Sequence, residues 1–279
     1  MNKFLPGLYI VSTPIGNLDD ITIRALEVLK NSDIILCEDT RRSLKLLNYY
    51  KIKKKLISYH KFNEQKELKK INEYLNESKI LSLISDAGTP TLSDPGLLLI
   101  KSCIDRGIKI FPIPGPSSII ASVSVSGFDD KFLFYGFLPK TENELIKKLI
   151  KLKDIDFTLV FFVPAIKINF YLKFFKEYFS GREILIAREL TKIHETFYRD
   201  KVNEIKFFKS PPKGELTIVL SKIYINTIKI NEELISEAKK YMKKYSLKDV
   251  VELISKKEKI SKNKVYEICL KIKNEKNIH

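Results

Sequence analysis

Ser85-Asp-Ala-Gly-Thr-Pro-Thr-Leu-Ser-Asp-Pro-Gly96 follows a compact apolar run, Ile80–Ile84, and precedes Leu97-Leu98-Leu99-Ile100. The first run reads as a buried strand and the second as the start of a helix, so the segment is a loop at a strand's C-terminal end. Two glycines, two prolines and two aspartates in twelve residues are more punctuation than a plain connection needs. Glycine lets a backbone approach a ligand, proline fixes the loop's path, and small hydroxyls offer short hydrogen-bond partners. In an open α/β sheet, ligands sit at such strand ends.

Three further junctions repeat the pattern. Leu8–Ser12 reads as a strand and leads into Thr13-Pro14-Ile15-Gly16-Asn17-Leu18, after which Asp19 and Asp20 offer N-caps to a helix. Asp33–Cys37 reads as a strand that delivers Glu38-Asp39-Thr40-Arg41-Arg42 to its end. One reading has Asp39 or Thr40 capping the next helix with the arginines in solvent. The other has the arginines gripping phosphate and a carboxylate orienting an acceptor. A strand at Ile108–Phe111 leads into Pro112-Ile113-Pro114-Gly115-Pro116-Ser117-Ser118 and a helix of small residues. Between them, Leu56–Tyr59 reads as a strand and Asn63–Asn76 as a polar helix, with His60 and Lys61 at the join. Neither a Rossmann G-x-G-x-x-G nor a P-loop occurs.

The alternation of strand and helix changes near Gly127. Phe132–Phe137, Phe157–Val163, Glu183–Arg188, Glu195–Arg199 and Glu215–Leu220 read as strands of a mixed sheet, with helices at about 141–152 and 166–179. Beyond Lys222 the chain turns lysine-rich and helical: Glu232–Tyr245, Leu247–Lys256 and Lys262–Lys273, with Ser246 and Ser261 as N-caps. The expected organisation is an N-terminal α/β domain over 1–126, a second α/β domain over 127–222 and a basic helical extension over 223–279.

The chain has 279 residues, 44% hydrophobic, and a formal net charge of +16. That charge points to a polyanionic partner, with nucleic acid ahead of membrane because no basic amphipathic anchor stands out. No apolar run is long enough to span a bilayer, and the N-terminus does not read as a signal peptide. Cys37, Cys103 and Cys269 are far apart within apolar runs. They read as reduced core residues of a cytoplasmic protein without a metal site.

Taken together, STPIGNLDDIT, CEDTRRS, ISDAGTPTLSDPG, IPGPSS, SGF with FYGFLPK, and ARELTK resemble the ribosomal RNA small subunit methyltransferase I family, a branch of the tetrapyrrole-methylase-like enzymes. The resemblance runs from Leu8 to Leu220. It implies two α/β domains with S-adenosylmethionine in the cleft between them and methylation of the 2′-hydroxyl of a cytidine in the decoding centre of 16S rRNA. It also implies 16S rRNA or the 30S subunit as partner, and a homodimer. By the same resemblance Pro14, Gly16, Ala87, Gly88, Thr89, Leu92, Ser117, Ser118, Val163 and Leu190 bind the cofactor. Arg41, Arg42 and Lys192 are the expected RNA contacts. Asp86, Glu38, Asp39 and Glu189 are the carboxylates available to take the hydroxyl's proton.

Two departures stand out. Many members carry a Tyr-Glu-Ser-Pro-His-Arg-like segment where this chain has Phe162-Val163-Pro164-Ala165-Ile166-Lys167. Where Arg-Gly often follows ARELTK, this chain has Arg199-Asp200. Two rival readings follow: a methylase of a porphyrin-like small molecule sharing fold and cofactor, and a non-catalytic RNA-binding or assembly protein.

Overall fold

The computed structural model describes residues 4–223, 235–258, 262, 265, 266, 268–270 and 272. One compact unit reaches from the N-terminus to Ile223, and the helical extension forms a second.

The first sheet is parallel, with strands β1 (Gly7–Val11), β2 (Ile34–Cys37), β3 (Lys55–Ser58), β4 (Ile80–Ile84) and β5 (Ile110–Ile113) in the order β3-β2-β4-β1-β5. Such a sheet must be covered on both faces. Helices α1 (Ile23–Asn31) and α2 (Thr40–Tyr49) close one face with Ala25, Val28, Leu29 and Leu47 against Val11, Ile35 and Cys37. Helices α3 (Glu64–Asn76) and α4 (Leu97–Asp105) close the other with Ile71, Leu75, Leu99 and Cys103 against Leu8, Leu36 and Leu81. β1 and β4 are neighbours, yet the chain leaves β1 over one face and β4 over the other. A crevice opens where connections diverge in this way.

Two expectations change in detail. Asp19 and Asp20 do not cap α1: they lie in a one-turn 3₁₀ helix, Leu18–Asp20, and Thr22 Oγ1 accepts the Ala25 N–H at 3.1 Å. The 3₁₀ turn uses up both aspartates before the chain straightens at Ile21 and Thr22. β5 runs to Ile113 rather than stopping at Phe111, and Pro112 sits inside it opposite Ile10. β5 is an edge strand, where a residue without an N–H is tolerated.

The second sheet orders β6 (Phe132–Phe137), β7 (Thr158–Pro164), β8 (Glu183–Arg188), β9 (Thr196–Lys201) and β10 (Glu215–Leu220) as β6-β7-β10-β8-β9. Only β6 and β7 run parallel. Alternation along β7 divides its faces. Leu159, Phe161 and Val163 meet α6 (Glu142–Leu152) and α7 (Ile168–Tyr178). Val160 and Phe162 turn the other way, toward Ile119 and Val123. Those two belong to α5 (Ser118–Ser124), the helix that follows the first sheet. The aromatic layer of Phe161, Phe174, Phe175 and Phe179 is fully buried, each ring contributing about 1.5–3 kcal/mol of transfer free energy.

Arg182 enters this core at the start of β8 with 2% exposure. Its guanidinium donates to the carbonyls of Phe157 (2.9 Å), Ser221 (2.7 Å), Lys153 (3.2 Å) and Ile155. Burial lowers its pKa to about 10, partly offset by Asp156 and Asp154, so it is charged at neutral pH.

In the extension, Leu247–Glu258 is helical, and Ser246 Oγ accepts the Asp249 N–H at 3.3 Å. Ala238, Val250, Ile254, Val265 and Cys269 form its core. Ser261 lies outside the described residues. Among the described residues no helix is long and apolar enough to cross a membrane.

Candidate active site

The loops after β1, β4 and β5 are stitched together at the crevice. Thr13 and Gly88 exchange backbone hydrogen bonds of 2.9 and 3.0 Å. The Ser12 and Thr89 hydroxyls lie 2.9 Å apart, and Thr89 Oγ1 donates to the Pro116 carbonyl at 3.4 Å. Only a glycine fits at 115, where a Cβ would come within 2.9 Å of Ser12 Cβ.

Over these loops lies a cavity of about 300 Å³. Ala87, Gly88, Thr89, Ser117 and Ser118 supply small and hydroxylated walls from below, while Phe162, Val163 and Leu190 supply an apolar wall from the second sheet. A bulge in β6 between Phe134 and Gly136 re-aims the strand so that Phe137 also lines the space. Eight of the ten cofactor residues expected from the sequence therefore meet here. Pro14 and Gly16 do not line the cavity, although Ile15 between them does.

Gly16 has a different task. A Cβ there would lie 2.7 Å from the Leu190 carbonyl oxygen and 2.5 Å from Lys192 Cγ. Beside it the Asn17 N–H donates to Thr191 Oγ1 at 3.0 Å. The Ile15–Asn17 turn thus touches the turn after β8, and the cavity depends on that closeness. Gly16→Ala is expected to weaken cofactor binding about tenfold, since a methyl forced into a packed contact costs ~1–3 kcal/mol. Calorimetric affinity equal to wild type would reject this.

The four carboxylates singled out from the sequence have different surroundings. Asp39 caps α2 through the Arg41 N–H (2.9 Å) and grips the Arg41 side chain at 3.1 and 2.8 Å. Those bonds hold its pKa near 2. Asp86 accepts the Asp39 N–H at 3.2 Å and pairs with Arg42 at 3.1 Å. Glu189 accepts from Lys192 (2.9 Å) and from the Glu215 N–H (3.1 Å). Burial there is outweighed by these donors, and its pKa falls. Glu38 has a raised pKa, from burial first and then the Asp86 charge. None of the four lines the cavity.

Asp94 does line it. Burial, then the neighbouring Glu38 charge, raise its pKa to about 6, against a hydrogen bond from Ser85. Its loop is strained: Thr91 (φ +73°) and Ser93 (φ +72°) are non-glycine residues in the left-handed region. A β-branched residue there is a true outlier. Glu189 (φ +51°) and Thr191 (φ +63°) repeat the feature on the facing turn. Asp94 lay within the quoted loop, together with Asp86, but its raised pKa rests also on Glu38 arriving from the end of β2.

The two departures occupy defined places. Phe162, Val163 and Pro164 are cavity wall, and the Lys167 ammonium lies 5.9 Å from the Phe170 ring centroid. Arg199 donates to the Val125 carbonyl at the C-terminus of α5 (2.8 Å) and stacks over Phe197.

A cavity at the switch point of a parallel sheet, roofed by a second mixed sheet, defines the class of this protein. The profile of the tetrapyrrole (corrin/porphyrin) methylases matches residues 7–206. Diphthine synthase shares the fold with a TM-score of 0.59 at 16% identity, over 77% of this chain and 89% of its own. The Thermus thermophilus uroporphyrin-III C-methyltransferase complexed with S-adenosylhomocysteine gives 0.55 at 15%, over 78% and 98%. Within that class the sequence is similar to one branch over most of its length. The ribosomal RNA small subunit methyltransferase I of Thermotoga maritima is 47% identical over 77% of this chain and 97% of its own length. That of Rickettsia prowazekii is 42% identical over 96% and 97%. The chain belongs to the ribosomal RNA small subunit methyltransferase I family and is a methyltransferase.

Proposed function

We propose that this protein transfers the methyl group of S-adenosylmethionine to a ribose 2′-hydroxyl of a cytidine in the decoding centre of 16S rRNA. The single observation that supports this best is the composition of the cavity. The residues fit the cofactor: apolar Phe162, Val163 and Leu190 suit a purine, while Thr89, Ser117 and Ser118 hydroxyls and the backbone at Ala87–Gly88 suit a ribose and an amino-acid end. When bound, S-adenosylmethionine supplies a methyl group activated by a sulfonium.

The chain's own contribution is alignment and proton removal. The stitched loops fix the lower wall, and the turn at Ile15–Asn17 fixes the upper, which holds reacting atoms in line. A ribose hydroxyl is a weak nucleophile at neutral pH and needs a base. Of the two carboxylates lining the cavity, Glu215 is held by Lys192 at 3.1 Å. Asp94 is the base. The likeness to uroporphyrin methyltransferases is one of fold alone, at 15–16% identity.

The substrate is the 30S subunit rather than a tetrapyrrole, a reading supported by the net charge of +16 and by the 42–47% identical relatives named for small-subunit rRNA. A homodimer, implied by the same resemblance, completes it. Labelled S-adenosylmethionine and purified 30S subunits lacking the modification should give label on one decoding-centre cytidine ribose. Label elsewhere, or transfer only to uroporphyrinogen, would reject the assignment.

A further inference from the structure

The C-terminal edge of the first sheet extends past the cavity to β2 and β3, which are neighbours. The loop after β3, His60-Lys61-Phe62-Asn63, is a rigid turn. Asn63 Oδ1 accepts the His60 N–H at 2.8 Å, and Asn63 Nδ2 donates to the Ser58 carbonyl at 2.9 Å. The His60 carbonyl accepts from the N–H groups of Asn63 (2.9 Å) and Glu64 (3.1 Å). On this fixed backbone Phe62 is 94% exposed, whereas no other described phenylalanine exceeds 58%. Its ring lies edge-on to the His60 ring, at 6.1 Å between centroids.

The turn is tied to the cavity. Glu64 Oε1 accepts the Gly96 N–H at 2.7 Å, two residues from Asp94. His60 acts electrostatically on Glu38, the carboxyl that in turn acts on Asp94. The ends of β3 and β2 are joined where the Tyr59 N–H donates to the Cys37 carbonyl at 2.8 Å. In the first turn of α2, which follows β2, the side chains of Arg41 and Arg42 are 86% and 67% exposed, and Lys61 is exposed too. Asp39 and Asp86 orient the two guanidinium groups without covering them.

An exposed aromatic ring on a fixed turn, with exposed guanidinium groups following the neighbouring strand, matches one kind of ligand. Sequence-specific RNA recognition works on unstacked nucleotides, whose bases lie on aromatic rings while cations follow the phosphates. A ribose inside an intact stem cannot reach a recessed cavity of this size, so the strand around it must be splayed and held. We propose that Phe62 stacks on a base flanking the target nucleotide, while Arg41, Arg42 and Lys61 hold the adjoining phosphates. This rests on the rRNA reading and extends it to a single-strand cradle outside the cavity.

Steady-state methyl transfer to 30S subunits lacking the modification tests it, using Phe62→Ala, Phe62→Leu and Phe62→Tyr. Loss of the ring should raise KM for the 30S subunit roughly five- to a hundredfold in the Ala and Leu variants. Phe62→Tyr should stay near wild type. In all three, KM for S-adenosylmethionine and the thermal midpoint should hold, because the side chain packs against no core. An unchanged 30S KM in Phe62→Ala overturns the proposal. So does a Phe62→Leu variant that matches wild type, since the site would then need only apolar area. Failure of the wild-type enzyme to methylate 30S subunits overturns the rRNA reading and this inference with it. Transfer by wild type with an indifferent Phe62 overturns the cradle alone.

Discussion

Replacing Asp94 by Asn should lower kcat by about 10²–10⁴-fold, the usual contribution of a positioned general base, while calorimetric affinity for S-adenosylmethionine changes little. The pH profile carries the sharper test. The base acts as a carboxylate, so with its pKa raised to about 6 the wild-type rate should fall as pH drops below about 6. Asp94 is surrounded by Glu38 at the end of β2 and Asp86 at the end of β4. Arg42 pairs with Asp86, and His60 acts on Glu38. Glu38→Gln deletes a negative charge near Asp94, favours its ionised form and should move that acid limb to lower pH. A limb near the ordinary carboxylate range in wild type, or one that Glu38→Gln leaves in place, would rule Asp94 out. If Asp94→Asn instead raises KM for the cofactor and spares kcat, Asp94 is a cofactor ligand and the base lies elsewhere.

The second large effect concerns stability. Arg182→Met should destabilise the main unit by about 3–5 kcal/mol, because a buried guanidinium is lost and four carbonyls, that of Ser221 buried and the others partly so, lose their donor at once. The Arg182 Nε is itself buried without a partner, so the native arrangement already carries a cost and the net loss is less than four full bonds. A midpoint lower by roughly 10 °C in scanning calorimetry is the expected reading. A change within about 2 °C would mean that the β8 and β10 ends and the 153–157 segment hold one another without this guanidinium.

Much of the first sheet could be read from the chain because most of its strand residues are apolar and the loops after β1, β4 and β5 are marked by glycine and proline. The loops that carry residues 87–89, 117 and 118 stood out for that reason, while the residues themselves followed from the family resemblance and line the cavity. The two misreadings were local. Asp19 and Asp20 have the same capping chemistry as Thr22, and only the intervening 3₁₀ turn decides between them. Pro112 argues against a strand unless the strand is known to be at an edge, which is a property of the whole sheet. Asp94 was harder still. Nothing within Thr91-Leu92-Ser93-Asp94 reports that Glu38, 56 positions earlier in the sequence, shares its surroundings. Phe62 was equally silent, since exposure of a ring is not written in its neighbours.

The position of α5 bears on how the molecule assembles. The helix follows the last strand of the first sheet, yet its Ile119 and Val123 cover Val160, Leu185 and Val219 of the second. The second sheet cannot bury that face until the N-terminal part has delivered the helix. Neither half has a complete core alone, so the two sheets should melt in one cooperative transition, as a single foldon. Synthesis from the N-terminus then leaves α5 waiting with its apolar side uncovered while about a hundred residues are added after it, through Leu220. Until then the apolar side of α5 stays open to solvent, which exposes the growing chain to aggregation.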